Sequence, residues 1–117
     1  MAVFELLRRE SDIRSFAAGQ TIFAQGDAGD CMYAVLEGEI AIQKNGTTLE
    51  RVAAGGVFGE MALIDQSPRS ASAVAMSECK VVAVGQKRFT YLVQQTPYFA
   101  LEIMHVLAER LRRETTT

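Results

Sequence analysis

Residues 57–73, with the sequence VFGEMALIDQSPRSASA, are the most informative stretch of the chain. Gly59 lets the backbone approach a ligand closely, and residues 60–63 can form one turn of helix whose free N–H groups point outward. Nine residues after Glu60 come Arg69 and Ser70, a guanidinium fork beside a hydroxyl. A carboxylate accepts hydrogen bonds from hydroxyl groups, whereas an arginine fork pairs with phosphate oxygens. The stretch therefore suits a ligand with a sugar hydroxyl at one end and a phosphodiester at the other, as in a nucleotide.

On both sides of this stretch, glycines separate short apolar segments. The nine glycines are spread between segments rich in Ile, Val, Phe and Tyr, which is the pattern of strands and turns in a sandwich or barrel. The Asn45-Gly46 pair predicts a two-residue hairpin turn, because both positions need positive φ. The predicted strands cover residues 13–16, 21–24, 32–36, 39–44, 47–52, 70–75 and 80–84.

Both ends of the chain are predicted to be helical. Apolar residues within 3–7 recur at helical spacing and predict a short N-terminal helix. After the last predicted strand the apolar period becomes helical, which predicts a helix over 86–95, a stop at Pro97 and a last helix over about 98–114.

The last predicted helix has two apolar faces. One, spaced as on a coiled-coil seam, consists of Leu101, Met104, Ala108 and Leu111. The other consists of Phe99, Ile103 and Val106. One face can pack on the β domain while the other meets a ligand or a second subunit. The alternative is a single broad face packed on the domain's own core.

Composition and charge narrow the class of protein. A chain of 117 residues with 49% hydrophobic and 22% charged residues predicts one soluble globular domain, residues 1–117. Its net charge of −2 disfavours nucleic acid and anionic membranes as partners. No apolar run approaches the roughly 18–20 residues of a membrane span, and charge comes too early for a signal peptide. We therefore expect a cytoplasmic protein.

The reactive residue types predict neither a metal site nor an enzyme. Cys31 and Cys79 lie far apart, and two thiols with the single histidine, His105, cannot assemble the usual four-ligand zinc site. We expect free thiols in a reducing compartment. The chain has no GxSxG motif, no P-loop and no carboxylate pair at a recognisable catalytic spacing. We therefore expect no catalysis, no metal and no cofactor.

Residues 58–73 resemble the phosphate-binding cassette of the cyclic nucleotide-binding domains, which runs Phe-Gly-Glu, apolar residues, a short loop and then Pro-Arg-Ser-Ala. The upstream glycine pattern is also similar to that family, with Gly19, Ile22, Gly26, Asp27, Gly29, Asp30, Met32, Tyr33, Val35 and Gly38 in matching places. The resemblance covers essentially the whole chain. It is closest to the sensor domains of catabolite-activator-type regulators and of prokaryotic cyclic-nucleotide-gated channels.

This resemblance implies a fold that is mainly β with flanking helices. The expected core is a double-stranded β-helix, a jelly-roll-like β-roll, over about 13–85. A short N-terminal helix, a cassette helix, and hinge and lid helices over about 86–114 would surround it.

The resemblance also implies a role for each matching residue. Glu60 would accept the ribose 2′-hydroxyl, Arg69 would pair with the cyclic phosphate, Ser70 would donate to it, and the backbone N–H of Ala71 would support it. Arg110 would stack on the base from the lid helix. The full set of implied ligand-binding residues is Phe58, Gly59, Glu60, Met61, Ala62, Arg69, Ser70, Ala71 and Arg110, with Thr115 as a further candidate for a contact with the base.

Simpler structural interpretations exist for several of these residues. Glu60 alone could be a helix N-terminal residue interacting with the dipole. Arg69 could be a surface group or a structural ion pair, and Arg110, in the run ERLRR, a solvated helix end. Met61 and Leu63 suit a core better than a ligand contact, although Met61 can serve in both ways.

The function expected from the resemblance is a stand-alone sensor that binds cyclic AMP and signals by movement of the lid helix. Cyclic GMP is the alternative ligand, because Ser70 fits binders of either nucleotide. A scaffold that keeps the fold but binds no nucleotide is the third possibility. The expected partners are the small-molecule cyclic nucleotide and, through the last helix, a homodimer or an effector protein.

Overall fold

The computed structural model describes residues 12–115, which form eight strands and three helices. The strands are β1 (Ile13–Phe16), β2 (Thr21–Phe23), β3 (Cys31–Glu37), β4 (Glu39–Lys44), β5 (Thr47–Ala53), β6 (Val57–Phe58), β7 (Ser72–Ala75) and β8 (Cys79–Gly85). The helices are α1 (Met61–Ile64), α2 (Gln86–Gln95) and α3 (Pro97–Thr115). The predicted mainly β fold with flanking helices is confirmed.

The strands form two antiparallel sheets of four strands each. One sheet has the order β1-β8-β3-β6 and the other β2-β7-β4-β5. Strands that neighbour each other in space are often distant in sequence, as where Ile13 lies opposite Val82. This exchange of strands between two sheets is the jelly-roll arrangement that the resemblance implied.

The hairpin between β4 and β5 turns where the sequence predicts it. Asn45 has φ 51° and Gly46 φ 82°, the left-handed backbone that a two-residue turn requires. Lys44 pairs with Thr47 across the turn. This local signal therefore fixes the register of the hairpin.

Strand β3 contributes to two hydrophobic cores, because successive side chains of a strand point to opposite faces. Tyr33 and Val35 belong to the core between the two sheets, whereas Met32 and Ala34 belong to the core beneath the helices. All six residues from 31 to 36 are buried. A continuous apolar run is the expected signature of a strand covered on both faces.

Helices α2 and α3 close the second core. Leu92, Phe99 and Ile103 are almost completely buried there. The ring of Phe89 meets the ring of Phe99 edge to face, with centroids 5.3 Å apart. Burial of each such side chain contributes roughly 1.5–3 kcal/mol, so these contacts hold both helices against the β-roll.

The two apolar faces of α3 have different environments. Phe99 and Ile103 pack inward, while Leu101, Met104 and Leu111 are 57%, 59% and 62% exposed. The alternative of one broad face packed on the core is therefore wrong. The exposed residues, together with Tyr98, form what we call the outer stripe.

Several predicted boundaries need correction. The strand predicted from residue 70 begins at Ser72, because the preceding backbone is tied to the loop before β3. The two-residue strand β6 was not predicted. Pro97 begins helix α3 rather than standing outside it, since a proline at the first helical position loses no hydrogen bond. The predicted N-terminal helix lies outside the described residues.

Three further observations concern chemistry. The thiols of Cys31 and Cys79 are buried and not bonded to each other. In the range 12–115, no group of three or more His, Cys, Asp or Glu side chains is placed to hold a metal ion. None of the described helices is long and apolar enough to cross a membrane.

Candidate functional site

The cassette begins with a tight change of direction at Gly59, between β6 and α1. Gly59 has φ 77°, and a Cβ added there would lie 2.7 Å from Nη1 of Arg69. Glycine is therefore required both by the backbone and by the close approach of the guanidinium. Helix α1 follows as a single turn, with Ala62 and Leu63 buried and Met61 46% exposed. The prediction of a core residue is confirmed for Leu63 and wrong for Met61.

Glu60 is a buried carboxylate at the start of this turn. Only 3% of the residue is exposed, and its side chain does not cap the helix. Instead, Oε1 of Glu60 accepts a hydrogen bond from Nη1 of Arg110. Since an unpaired buried carboxylate is costly, this ion pair is the interaction that holds Glu60 in the site. Glu60 stands at the N-terminus of α1, as the helix-terminus interpretation has it, and its side chain pairs with Arg110 as well.

Arg110 connects the end of helix α3 to the β-roll. Its Nε and Nη2 donate to the two carboxylate oxygens of Glu50 at 2.9 and 3.1 Å, and Nη2 also donates to the carbonyl oxygen of Val57 at 2.8 Å. The Arg110 side chain is 21% exposed. The interpretation of a solvated helix end is therefore wrong, and Arg110 contacts Glu60 and Val57 of the cassette region.

Arg69 is held in place by its own backbone. Its N–H donates to the carbonyl oxygen of Asp27 at 2.8 Å, and its carbonyl oxygen accepts from the N–H of Gly26 at 2.8 Å. Three residues later, Oγ of Ser72 accepts from the N–H of Gln25 at 2.9 Å. The loop before β3 and the end of the cassette are thus joined along their backbones, which explains why β7 begins only at Ser72.

The guanidinium of Arg69 points inward. It donates from Nη1 to the carbonyl oxygen of Gly59 at 2.9 Å and from Nη2 to that of Cys31 at 2.7 Å. Its carbon Cζ lies 4.1 Å from the ring centroid of Phe23. The surface-group interpretation is therefore wrong, since only 7% of Arg69 is exposed.

Arg69 carries a buried charge that no carboxylate within residues 12–115 pairs with. Its contacts are two carbonyl oxygens, the Cys31 thiol and aromatic rings, and none of the described carboxylates lies within ion-pair distance of it. Burial raises the pKa of Tyr33 to about 12, so this neighbour stays neutral at ordinary pH. Within the described chain, Nε of Arg69 also has no hydrogen-bond acceptor. Such a group favours a bound anion.

Gly29, which sequence reasoning did not assign to the site, forms a wall of the site beside Arg69. A Cβ added to Gly29 would lie 2.6 Å from Nε of Arg69 and 2.8 Å from Cβ of Ala62. The family's glycine pattern includes this position, but only the folded chain shows that it borders the guanidinium.

The remaining predicted residues are distributed around this centre. Ser70 is exposed directly after Arg69, and Ala71 is 8% exposed. The side chain of Phe58 lies in the core between the sheets and stacks on Tyr33 with centroids 5.2 Å apart. A ligand contact by Phe58 would therefore involve its backbone. Thr115 is the last residue of α3.

A cleft of about 280 Å³ lies next to the cassette, between β5, β6 and helix α3. Glu50 and Arg110 contribute its charged lining, and Val57 and Val106 contribute apolar surface. Glu50 is a functional candidate that sequence reasoning missed. The available signal was its position on the same face of β5 as the buried Val52.

Comparisons with known proteins show the family of this domain. A family model described as cyclic nucleotide-binding domain matches residues 13–96. The chain is 35% identical over 104 residues to the cyclic AMP receptor protein of Thermus thermophilus. The aligned region covers 85% of this chain and 48% of the receptor. It also matches the crystal structure of the Thermus thermophilus catabolite activator protein, with a TM-score of 0.83 and 33% identity over 95% of this chain and 55% of that chain.

A further match is the EAL enzyme Bd1971, in its cAMP-bound and cGMP-bound forms. Both give a TM-score of 0.65, at 35% and 36% identity, and cover 87% and 88% of this chain and 28% and 29% of theirs. The chain thus spans about half the length, or less, of these relatives. The family model includes the whole cassette and all eight strands, and the chain therefore belongs to the cyclic nucleotide-binding domain family.

Proposed function

We propose that this domain is a sensor that binds cyclic AMP between the cassette and helix α3, without catalysis, and signals through movement of that helix. The observation that carries the proposal is the buried guanidinium of Arg69. It has five N–H donors, of which the two carbonyl contacts use one on each Nη atom. The donors that remain, Nε–H among them, suit the cyclic phosphate.

Glu60 supplies the complementary end of the site. Its carboxylate can accept a hydrogen bond from the ribose 2′-hydroxyl, since a carboxylate accepts about four hydrogen bonds. The exposed hydroxyl of Ser70, directly after Arg69, adds a donor for the phosphate. Glu60 therefore supplies an acceptor and Arg69 a cationic donor set, which are the two kinds of group that the ligand requires.

Arg110 couples this site to helix α3. Because Arg110 contacts Glu60, a ribose that binds Glu60 changes the interactions of the helix end. Ligand would then shift a population of helix positions that exists without it. Amide hydrogen exchange tests this step. We expect added protection over residues 98–114 at saturating cyclic AMP, and unchanged exchange there would overturn signalling by the helix.

Cyclic AMP is proposed as the ligand because the Thermus thermophilus relative is a cyclic AMP receptor protein. Cyclic GMP is the second candidate, since Bd1971 is known in forms bound to either nucleotide and the cleft contains the carboxylate of Glu50. The scaffold alternative is disfavoured, because both Glu60 and Arg69 are present and buried.

Calorimetry with both nucleotides tests the proposal. For the wild type we expect a Kd in the low micromolar range or tighter, since about 0.3 kcal/mol per ligand atom gives roughly 10 μM before charge contacts are added. Arg69→Ala should weaken binding about 10–100-fold through loss of charge-assisted contacts. Arg14→Ala removes an exposed arginine that pairs with Asp12 and should leave binding unchanged. Absence of heat with either nucleotide in the wild type would support the scaffold instead.

The signal would leave through the outer stripe of helix α3. Leu101, Met104 and Leu111 there are more than half exposed, which suits a homodimer or an effector protein. We also propose a cytoplasmic location, because buried unpaired thiols fit a reducing compartment.

A further inference from the structure

Cys31 is a thiol that the proposed function does not use, and it lies against the guanidinium of Arg69. It is the first residue of β3 and is 8% exposed. Its carbonyl oxygen accepts a hydrogen bond from Nη2 of Arg69 at 2.7 Å, and its Sγ lies 3.9 Å from the same nitrogen. The thiol is not bonded to Cys79, the other cysteine of the chain. Cys31 therefore places a free sulfur nucleophile beside the cation of the proposed phosphate site.

Two donor groups meet at this sulfur. One is Nη2 of Arg69. The other is the hydroxyl of Tyr33, since burial and then a hydrogen bond with the Cys31 thiol raise the pKa of Tyr33 to about 12. The phenol keeps its proton at ordinary pH and so remains a donor. Because a thiol sulfur is only a weak acceptor, these surroundings suit a stronger acceptor at the same place.

Arg69 gives an independent indication that an anionic group belongs here. The residue is 7% exposed, and within residues 12–115 its Nε has no hydrogen-bond acceptor. A buried guanidinium with an unused donor favours an anionic partner. Under the proposed function the cyclic phosphate is one such partner. An oxygen atom carried by Cys31 would be another.

We propose that Cys31 is a modification site at which a hydroperoxide oxidises the thiol to a sulfenic acid, and that the oxidised side chain occupies Arg69 in competition with the cyclic phosphate. The competition rests on the proposed function, whereas the oxidation does not. The sulfur attacks one peroxide oxygen, so that an S–O bond forms and the O–O bond breaks. Sulfur loses two electrons and the peroxide gains them. With hydrogen peroxide, the leaving hydroxide takes up the thiol proton and departs as water.

The added oxygen would bind Arg69 more strongly than the thiol does. At 3.9 Å from Nη2, the thiol sulfur makes only a weak contact. An oxygen bonded to that sulfur can reach the roughly 2.7–2.9 Å of a charge-assisted hydrogen bond. Nη2 already uses one N–H on the carbonyl oxygen of Cys31. The oxidised side chain would take its second N–H, which is then lost to the phosphate.

Cys79 provides an internal control, because it is a second buried thiol in the same chain. It lies on β8 and is 3% exposed. Burial raises the pKa of the Cys79 thiol, and a backbone hydrogen bond with Phe16 lowers it less. Since the thiolate is the form that attacks a peroxide, we expect Cys79 to react more slowly than Cys31.

The first test is site-specific trapping in the reduced wild type. Hydrogen peroxide is added together with dimedone, which traps sulfenic acids, and peptide mass spectrometry locates the adduct. We expect the adduct on Cys31 and not on Cys79, and less of it at saturating cyclic AMP. An adduct on Cys79 alone, or equal labelling of both cysteines, would overturn the modification site while leaving the proposed function standing.

The second test is calorimetry on the peroxide-treated protein without dimedone. Affinity for cyclic AMP should fall about 10–100-fold, the loss expected when a charge-assisted contact with Arg69 is removed. Dithiothreitol should restore it, because thiols reverse a sulfenic acid. This recovery separates Cys31 from Met61, which is 46% exposed in the cassette and whose sulfoxide needs a dedicated reductase. Unchanged affinity after oxidation at Cys31 would overturn the competition.

Two variants complete the design. Cys31→Ser should lose the response to peroxide, whereas Cys79→Ser should keep it. If Cys31→Ser does not fold, the two wild-type measurements decide alone. A reduced wild type that binds no cyclic nucleotide would overturn the proposed function and the competition with it, while a trapped sulfenic acid on Cys31 would still support the modification site.

Discussion

Gly29→Ala should disturb the proposed phosphate end of the site through sterics alone. The added Cβ would lie 2.6 Å from Nε and 2.7 Å from Cζ of Arg69, whereas ordinary contact begins at 3.4 Å. Arg69 cannot move aside freely, because carbonyl oxygens hold both its Nη atoms. Retreat of the backbone at position 29 is also opposed, since Cβ of Ala62 would lie 2.8 Å from the new Cβ.

The expected cost is that of overpacking, about 1–3 kcal/mol in the free energy of unfolding. Urea denaturation measures this loss, and calorimetry with cyclic AMP should show binding weakened at least about 10-fold as the guanidinium shifts. Gly85→Ala is the matched control. Its nearest neighbour would be the carbonyl oxygen of Asp30 at 3.9 Å, so unfolding should change by no more than about 1 kcal/mol. A Gly29→Ala protein with wild-type stability and affinity would refute this reasoning.

Three other predictions address the helix and the core. Arg110→Met leaves the buried Glu60 carboxylate without its ion pair, so urea denaturation should show a loss of about 1–3 kcal/mol; an unchanged midpoint would contradict this role. Burial raises the pKa of Tyr33 to about 12 from an unfolded value of 10.0. As the pH rises, the unfolded state therefore loses this proton first, and the free energy of unfolding should fall between pH 10 and 12 by at most about 1.4 kcal/mol per pH unit. Tyr33→Phe should reduce this pH dependence. An equal pH dependence in both proteins would argue against the role of Tyr33. Leu101→Glu together with Leu111→Glu should reduce the apparent mass in gel filtration if the outer stripe joins two copies, whereas an unchanged dimer would place the interface elsewhere.

The sequence predicts best those features that depend on neighbouring residues. The turn at Asn45-Gly46 needs only two residues that tolerate positive φ, and helix α2 has the predicted bounds 86–95. Strand β6 escapes prediction because two residues carry no periodicity. Its pairing of Phe58 with Tyr33 depends on a strand 25 positions earlier.

The candidate site shows the same division. The cassette pattern singles out Glu60 and Arg69, which the structure shows to be buried, because their types and spacing are local signals. It does not reveal the partners that set their orientation. Arg69 donates to Cys31, 38 positions earlier, and Arg110 donates to Glu50, 60 positions earlier. No local pattern records such distant pairings.

The contacts of Arg110 also set an order of events during synthesis. The last strand of the β-roll ends at Gly85, and Arg110 is made 25 residues later. At about 5–20 residues per second, this interval lasts roughly 1–5 s. During that time Glu60 has no cation from helix α3 to pair with, so its carboxylate must remain hydrated. The contacts of Glu60 are therefore completed later than the β-roll itself, and its carboxylate reaches its final state only with the last turns of the helix.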